Sequence, residues 1–310
     1  MNQHAPADAG APVCEVRQEA GPKYDNLGDR IRAIANEVAP VVEAVTGLPL
    51  PPRPLIRVVT VSALKKTWLE SLHAMMHRER GALAQRGISI GEREFATWRD
   101  DCAAQGEKVV RRWADDVAQS LEDAEMRPQV LVKAAVVFHA QHDDDQLYRT
   151  VTHELTHLTQ HQASHGRAFD LGATPCRRRV NLPDGKGPAP IAVQQLVEGH
   201  AMWAEAEVSL KVLGRTVGWS RAAGTGIYQR ATARATSSRT AAEAKNPYEQ
   251  WHSCVRNTVD AVGLDRFNTM WPHLDTACPT EAELSDPDSW LRRVDPDGTD
   301  RTDQEPHQAT

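Results

Sequence analysis

Residues 143–162 read DDDQLYRTVTHELTHLTQHQ, and the spacing of their apolar side chains sets the reading of the whole chain. Leu147, Val151, Leu155 and Leu158 recur every three to four residues, the period of an amphipathic helix, so a helix is expected from Asp144 to about Gln162. Asp143, Asp144 and Asp145 resemble a metal site but read better as a helix start, where acidic groups cap free amides and complement the dipole. Inside this helix His153-Glu154-Leu155-Thr156-His157 forms an HExxH pattern. Residues four apart sit about 40° apart around a helix, so both imidazoles can converge on one cation from a single rigid face. Glu154, about 100° round from His153, flanks that face and can reach an attacking water without being a ligand. The apolar stripe faces away from the histidines, so the helix can pack its back on a core and present its front to a cleft.

Upstream, Leu27, Ile31, Ile34, Val38 and Val42 predict a helix over 26–45, which the proline-rich segment 47–54 breaks. Leu55 to Val61 reads as a strand, followed by helical patterns over 62–86 and 92–124, and Val130 to Phe138 as a second strand. Downstream, a loop rich in Gly and Pro (172–190) leads to a helix over 191–213, and helical patterns continue over 216–244 and 247–271. The first 22 residues and the acidic segment 295–310 are expected to be disordered tails around one domain, 23–294. The expected architecture is mainly α (α+β), helical with a small sheet packed beside the HExxH helix.

A catalytic zinc wants three protein ligands and one open position. His161, His165, Glu198 and His200 are the candidates for the third. His161 shares a straight helix with His153 and His157, so all three on one ion is sterically poor, and it is expected behind the ligands or at the surface. His165 would need the helix to end and fold back, and nothing in Gln162-Ala163-Ser164 demands that. A Gly-turned HExxHxxGxxH pattern fails because residue 160 is Gln and residue 163 is Ala. Glu198, in Leu-Val-Glu-Gly-His-Ala (196–201), is preferred: it lies on an expected helix, and the following Gly199 permits close helix–helix approach. With two neutral imidazoles a carboxylate leaves the site net positive, which favours water activation.

HExxH followed by Glu in a Glu-Gly-His-Ala stretch resembles the gluzincins, and more closely an actinobacterial family of zincin-like zinc-dependent metalloproteases. The likeness continues through Asn246-Pro-Tyr-Glu-Gln250, Phe267-Asn-Thr-Met-Trp271, Pro279-Thr-Glu-Ala-Glu283 and Asp286 to Val294, and so covers about 145–294. It implies a zincin-like fold, Zn²⁺ held by His153, His157 and Glu198, and hydrolysis of a peptide or amide with Glu154 as general base. Trp251 departs from it, standing where a small residue is usual, and would narrow a cleft. An oxyanion donor is also needed: Tyr248, Tyr228 and His200 are candidates, with Tyr248 preferred because it lies in the resembling segment. His200, about 200° round the helix from Glu198, is expected to point away from the metal. Asp170, Glu205 and Asp275 could each hold the second nitrogen of a metal-bound histidine. A small-molecule amidohydrolase and a non-catalytic zinc-binding scaffold are the alternative readings.

The net charge of −6 gives no electrostatic case for nucleic acid or an anionic membrane as partner. Arg177-Arg178-Arg179 reads as a solvated loop. No apolar run approaches the roughly 20 residues of a membrane span, and the N-terminus lacks a leader pattern, so a cytoplasmic location is expected. Five widely spaced cysteines without a CxxC pair read as reduced thiols.

Overall fold

A computed structural model describes residues 13–85, 87–172, 190–218, 224–237, 248–280, 283 and 287–294. Among these, the chain is mostly helical with one small sheet. The strands are β1 (Glu15–Gln18), β2 (Leu55–Val59), β3 (Ala118–Glu122) and β4 (Pro128–Lys133), in the order β1-β2-β4-β3. β1, β2 and β4 are parallel, and β3 is an antiparallel edge strand on β4, with Ser120 opposite Val130 and Glu122 opposite Pro128. Val130 and Val132 turn one sheet face toward the main core, whereas Leu131 packs with Leu121, Val59 and Leu64 on the other.

Two long helices cover the main face. α1 (Asp25–Thr46) buries Leu27, Ile31, Ile34, Val38 and Val42, the side chains whose spacing predicts it. Gly47 closes it in the left-handed region (φ 63°), and Asn268 caps the end by donating to the Thr46 carbonyl at 2.8 Å. α5 (Asp144–Ala163) is capped by Asp143, whose carboxylate accepts from Gln146 N at 2.9 Å. Leu147, Val151, Leu155 and Leu158 are all buried in the main core. Each such side chain contributes about 1.5–3 kcal/mol on burial, enough to fix which face of α5 turns inward.

α7 (Pro190–Leu213) packs on α5 and α1, and α9 (Tyr248–Val262) packs on α7. α2 (Val61–Gln85) and α3 (Glu92–Arg111) form a second, smaller core around Leu72, Met76, Phe95 and Trp98. The remaining helices are α4 (Ala134–Ala140), α6 (Arg167–Gly172), α8 (Gly226–Ser237), α10 (Leu264–Asn268), α11 (Leu274–Ala277) and α12 (Pro287–Val294).

Several boundaries differ from the sequence reading. Residues 15–18, expected within the N-terminal tail, form β1, because Cys14 and Val16 have a core to enter. The helix expected over 92–124 stops at Arg111 and gives way to β3. Ala-Gln-Ser-Leu-Glu lacks β-branched residues, and β4 supplies the pairing that its composition does not. The strand expected over 130–138 ends at Lys133, where two alanines let the chain turn into α4. The pattern over 247–271 is divided at Gly263 (φ 81°) into α9 and α10. Part of the pattern over 216–244, the arginine run 177–179, Cys176 and the tail 295–310 lie outside the described residues. No helix among the described residues is long and apolar enough to cross a membrane. Cys14, Cys102, Cys254 and Cys278 are free thiols.

Candidate metal centre

α5 presents His153 and His157 on successive turns, and α7 brings Glu198 against them. His157 Nε2 lies 3.2 Å from His153 Nε2, His153 Nε2 lies 3.3 Å from Glu198 Oε2, and His157 Nε2 lies 3.9 Å from Glu198 Oε1. Four ligands set tetrahedrally at about 2.0–2.1 Å are roughly 3.3 Å apart, so these separations suit one small cation. Among the described residues this is the one group of three or more potential ligand side chains with that convergence.

Next to Glu198, α9 approaches α7 closely. A Cβ on Gly199 would lie 2.7 Å from the Trp251 carbonyl oxygen, so only glycine lets α9 seat this deeply on α7. Trp251 itself is buried in that joint, with its Cβ and backbone against Gly199.

The other nitrogen of each imidazole is held. His153 Nδ1 is 3.2 Å from Glu205 Oε2, and the other Glu205 oxygen accepts from buried Arg149. His157 Nδ1 is 2.8 Å from Gln160 Oε1. Burial opposes the charged form of His153, but its hydrogen bonds to Glu198 and Glu205 outweigh this and raise its pKa to about 10. Two carboxylates facing one imidazole favour positive charge at this position.

Glu154, the residue after His153, is buried and is not a member of the cluster. Ser120, on edge strand β3, lies with its Oγ 2.6 Å from Glu154 Oε2, leaving Oε1 as the oxygen not engaged by that serine.

The other sequence candidates are dispersed. His161 is buried, not at the surface, with Nε2 2.7 Å from Glu122 Oε1; Arg78 ties Glu122 (2.6 Å) to Asp170. α5 does end where His165 would require it: Ser164, His165 (φ 53°) and Gly166 (φ 84°) turn the chain, with Gly166 N donating to His161 O at 2.8 Å. That glycine was the missed signal. His165 is nonetheless exposed and outside the cluster. Of the three acidic candidates for the second histidine nitrogen, Glu205 takes the role, whereas Asp170 pairs with Arg78 and Asp275 with Arg167. Tyr228 packs its ring on Trp113. Tyr248 opens α9, but its side chain lies outside the described residues. Ser120, Gln160 and Arg149 were not singled out from sequence; Gln160 was legible, one turn after His157, but Ser120 became so only through the β3–α5 contact.

The expectation that α5 shows a polar front to a cleft is corrected. Thr152, Thr156, Thr159 and Gln160 are buried along with the apolar stripe, because the sheet, α1 and α7 enclose the helix on several sides. Access to the metal donors lies at Glu198, whose side chain is 25% exposed against 10% for His157.

No family model, curated protein or solved structure matches this chain. Its class is therefore defined by its own features: a mostly helical protein with a four-stranded sheet and a His153–His157–Glu198 cluster that could hold a metal ion.

Proposed function

We propose that the chain is a zinc-dependent hydrolase with a zincin-like fold, cleaving a peptide or amide bond. The observation that carries this reading is the convergence of His153 Nε2, His157 Nε2 and a Glu198 oxygen, with Glu154 following His153 in the chain but outside the donor set. Two imidazoles and one carboxylate with an open position are a donor set suited to catalytic Zn²⁺. When bound, the ion would supply Lewis acidity toward the scissile carbonyl and make water easier to deprotonate.

The chain's own residues supply the proton chemistry. Glu154 takes a proton from the attacking water on Oε1, while Ser120 holds Oε2. The water oxygen bonds to the carbonyl carbon; as the C–N bond breaks, Glu154 returns the proton to the leaving nitrogen. Glu205 and Gln160 keep the two imidazoles turned toward the open position. Tyr248 is proposed to donate to the developing oxyanion. The edge position of β3, with Ser120 touching Glu154, favours an extended peptide over a compact small molecule. The four free thiols suit a cytoplasmic location.

Metal analysis of the purified full-length protein should find about one zinc per chain, and Glu154→Gln should keep that zinc while losing hydrolysis of a peptide library. A folded protein that takes up no zinc sinks the reading, and Glu198→Ala with undiminished zinc affinity removes Glu198 from the ligand set.

A further inference from the structure

Gln160 lies fully buried one turn after His157, and its carboxamide has two chemically different ends. Nε2 is 2.8 Å from the Val197 carbonyl oxygen and 3.0 Å from His200 Nδ1. A carbonyl only accepts, so the NH₂ end must face α7, and its two hydrogens go to Val197 O and His200 Nδ1. Oε1 is thereby turned to His157 Nδ1 at 2.8 Å, and it too only accepts. His157 must then carry its proton on Nδ1 and present Nε2 as a lone pair, on the side where His153 and Glu198 converge.

His200 is held as firmly. Its ring stacks on Trp203 and Phe267, with centroids 5.5 Å away and interplanar angles of 28° and 26°, and Trp271 lies at 5.1 Å. Because Nδ1 accepts from Gln160, the proton sits on Nε2, a buried atom with no hydrogen-bond partner among the described residues. Leaving a buried donor unmatched is costly, and the arrangement places the matched nitrogen where it orients Gln160.

We infer that Gln160 and His200 are positioning residues that lock the tautomer of His157. The aromatic stack fixes His200, His200 and Val197 O fix the Gln160 amide, and Gln160 fixes the proton of His157 on Nδ1. One helix, α7, thus carries Glu198 and also dictates which nitrogen of His157 is free to bind. The lock's purpose rests on the metal reading above, but the lock itself is readable without metal.

The test uses the full-length protein stripped of metal, with ¹⁵N-labelled histidine, and long-range ¹H–¹⁵N correlation spectra at mildly alkaline pH. His157 should show the Nδ1–H pattern and His200 the Nε2–H pattern. Gln160→Met, similar in size but without the amide, should shift His157 toward Nε2–H and weaken zinc binding about 10- to 100-fold in a chelator competition. Gln160→Glu restores an acceptor for His157 but loses the donor to the Val197 carbonyl, so it should return His157 to Nδ1–H, with His200 reversed to donate from Nδ1, at reduced stability. His157 protonated on Nε2 in the wild type overturns the inference, as does Gln160→Met with unchanged tautomer and affinity. The wild-type spectrum needs no variant, so a Gln160→Met chain that fails to fold does not shield the inference. Wild type with the stated tautomers but no zinc uptake refutes the metal reading and upholds the lock.

Discussion

Substituting alanine at three helical glycines should give three different outcomes, and their order tests the packing that builds the metal centre. Gly81, in α2, has no neighbour within 4 Å of an added Cβ. Gly81→Ala should therefore gain the propensity difference, about 1 kcal/mol. At Gly106, in α3, the Cβ meets Leu69 Cδ2 at 3.0 Å. A leucine methyl can rotate away, so the gain should shrink toward zero. At Gly199 the neighbours are the Trp251 carbonyl oxygen at 2.7 Å, its carbonyl carbon at 2.8 Å and its Cβ at 3.0 Å. Backbone cannot rotate away, and an ordinary contact of 3.4 Å would part α7 from α9 by about 0.7 Å. Overpacking costs typically 1–3 kcal/mol; a rigid obstacle places Gly199→Ala toward the upper end, for a net loss of about 2 kcal/mol after the propensity gain. Urea midpoints at constant m-value should rank Gly81→Ala above wild type, Gly106→Ala near it and Gly199→Ala below it. Gly199→Ala as stable as Gly81→Ala would refute the packing of α9 on α7. Because Glu198 and His200 flank the site of strain, zinc affinity should fall with it.

Burial with the neighbouring His157 pushes His200 down to about 3, so its folded pKa lies below the ordinary 6.5. Stability tied to neutral His200 is complete above pH 6.5 and is lost as pH falls toward 3, at up to about 1.4 kcal/mol per pH unit; His200→Phe should flatten the urea-midpoint profile over that window, and an unchanged slope would exclude the effect. Glu205→Ala removes the partner of buried Arg149 and should cost about 3–5 kcal/mol; Glu205→Gln should retain most of the stability yet weaken zinc binding, read by denaturation and chelator competition side by side. Zinc in hundredfold excess over its dissociation constant should stabilise wild type by about 2.7 kcal/mol, and the shift in melting temperature should vanish in His153→Ala/His157→Ala; equal shifts in both would place the ion elsewhere. Ser120→Ala, which frees Glu154 Oε2, should lower the rate of hydrolysis without changing zinc content.

The candidate donors His153 and His157 and the helix α5 were legible because both depend on local periodicity. Leu147, Val151, Leu155 and Leu158 mark the helix, and HExxH places two imidazoles one turn apart on it whatever packs around them. Gly199 signalled a close helix–helix approach at the metal, but the approach falls in the α7–α9 joint, against Trp251. The sheet was only half legible. β2 and β4 from Val130 onward carry β-branched residues, but β1 and β3 are strands because neighbouring strands offer hydrogen bonds, a property that no window of sequence contains. His161 shows the same limit. Its helical position was clear, yet its burial against Glu122 depends on β3 crossing α5.

By itself, then, the sequence placed His153, Glu154 and His157 on one stretch of helix, since helical spacing is fixed by backbone geometry; that Glu198 meets the two imidazoles was decided by the packing of α7 on α5. Only the tertiary structure decided which acid of three braces His153, which side chain steadies Glu154, and how His157 is oriented. Glu205, Ser120 and Gln160 earn those roles from the meeting of α7, β3 and α5, and contacts between distant segments are set by how whole faces pack.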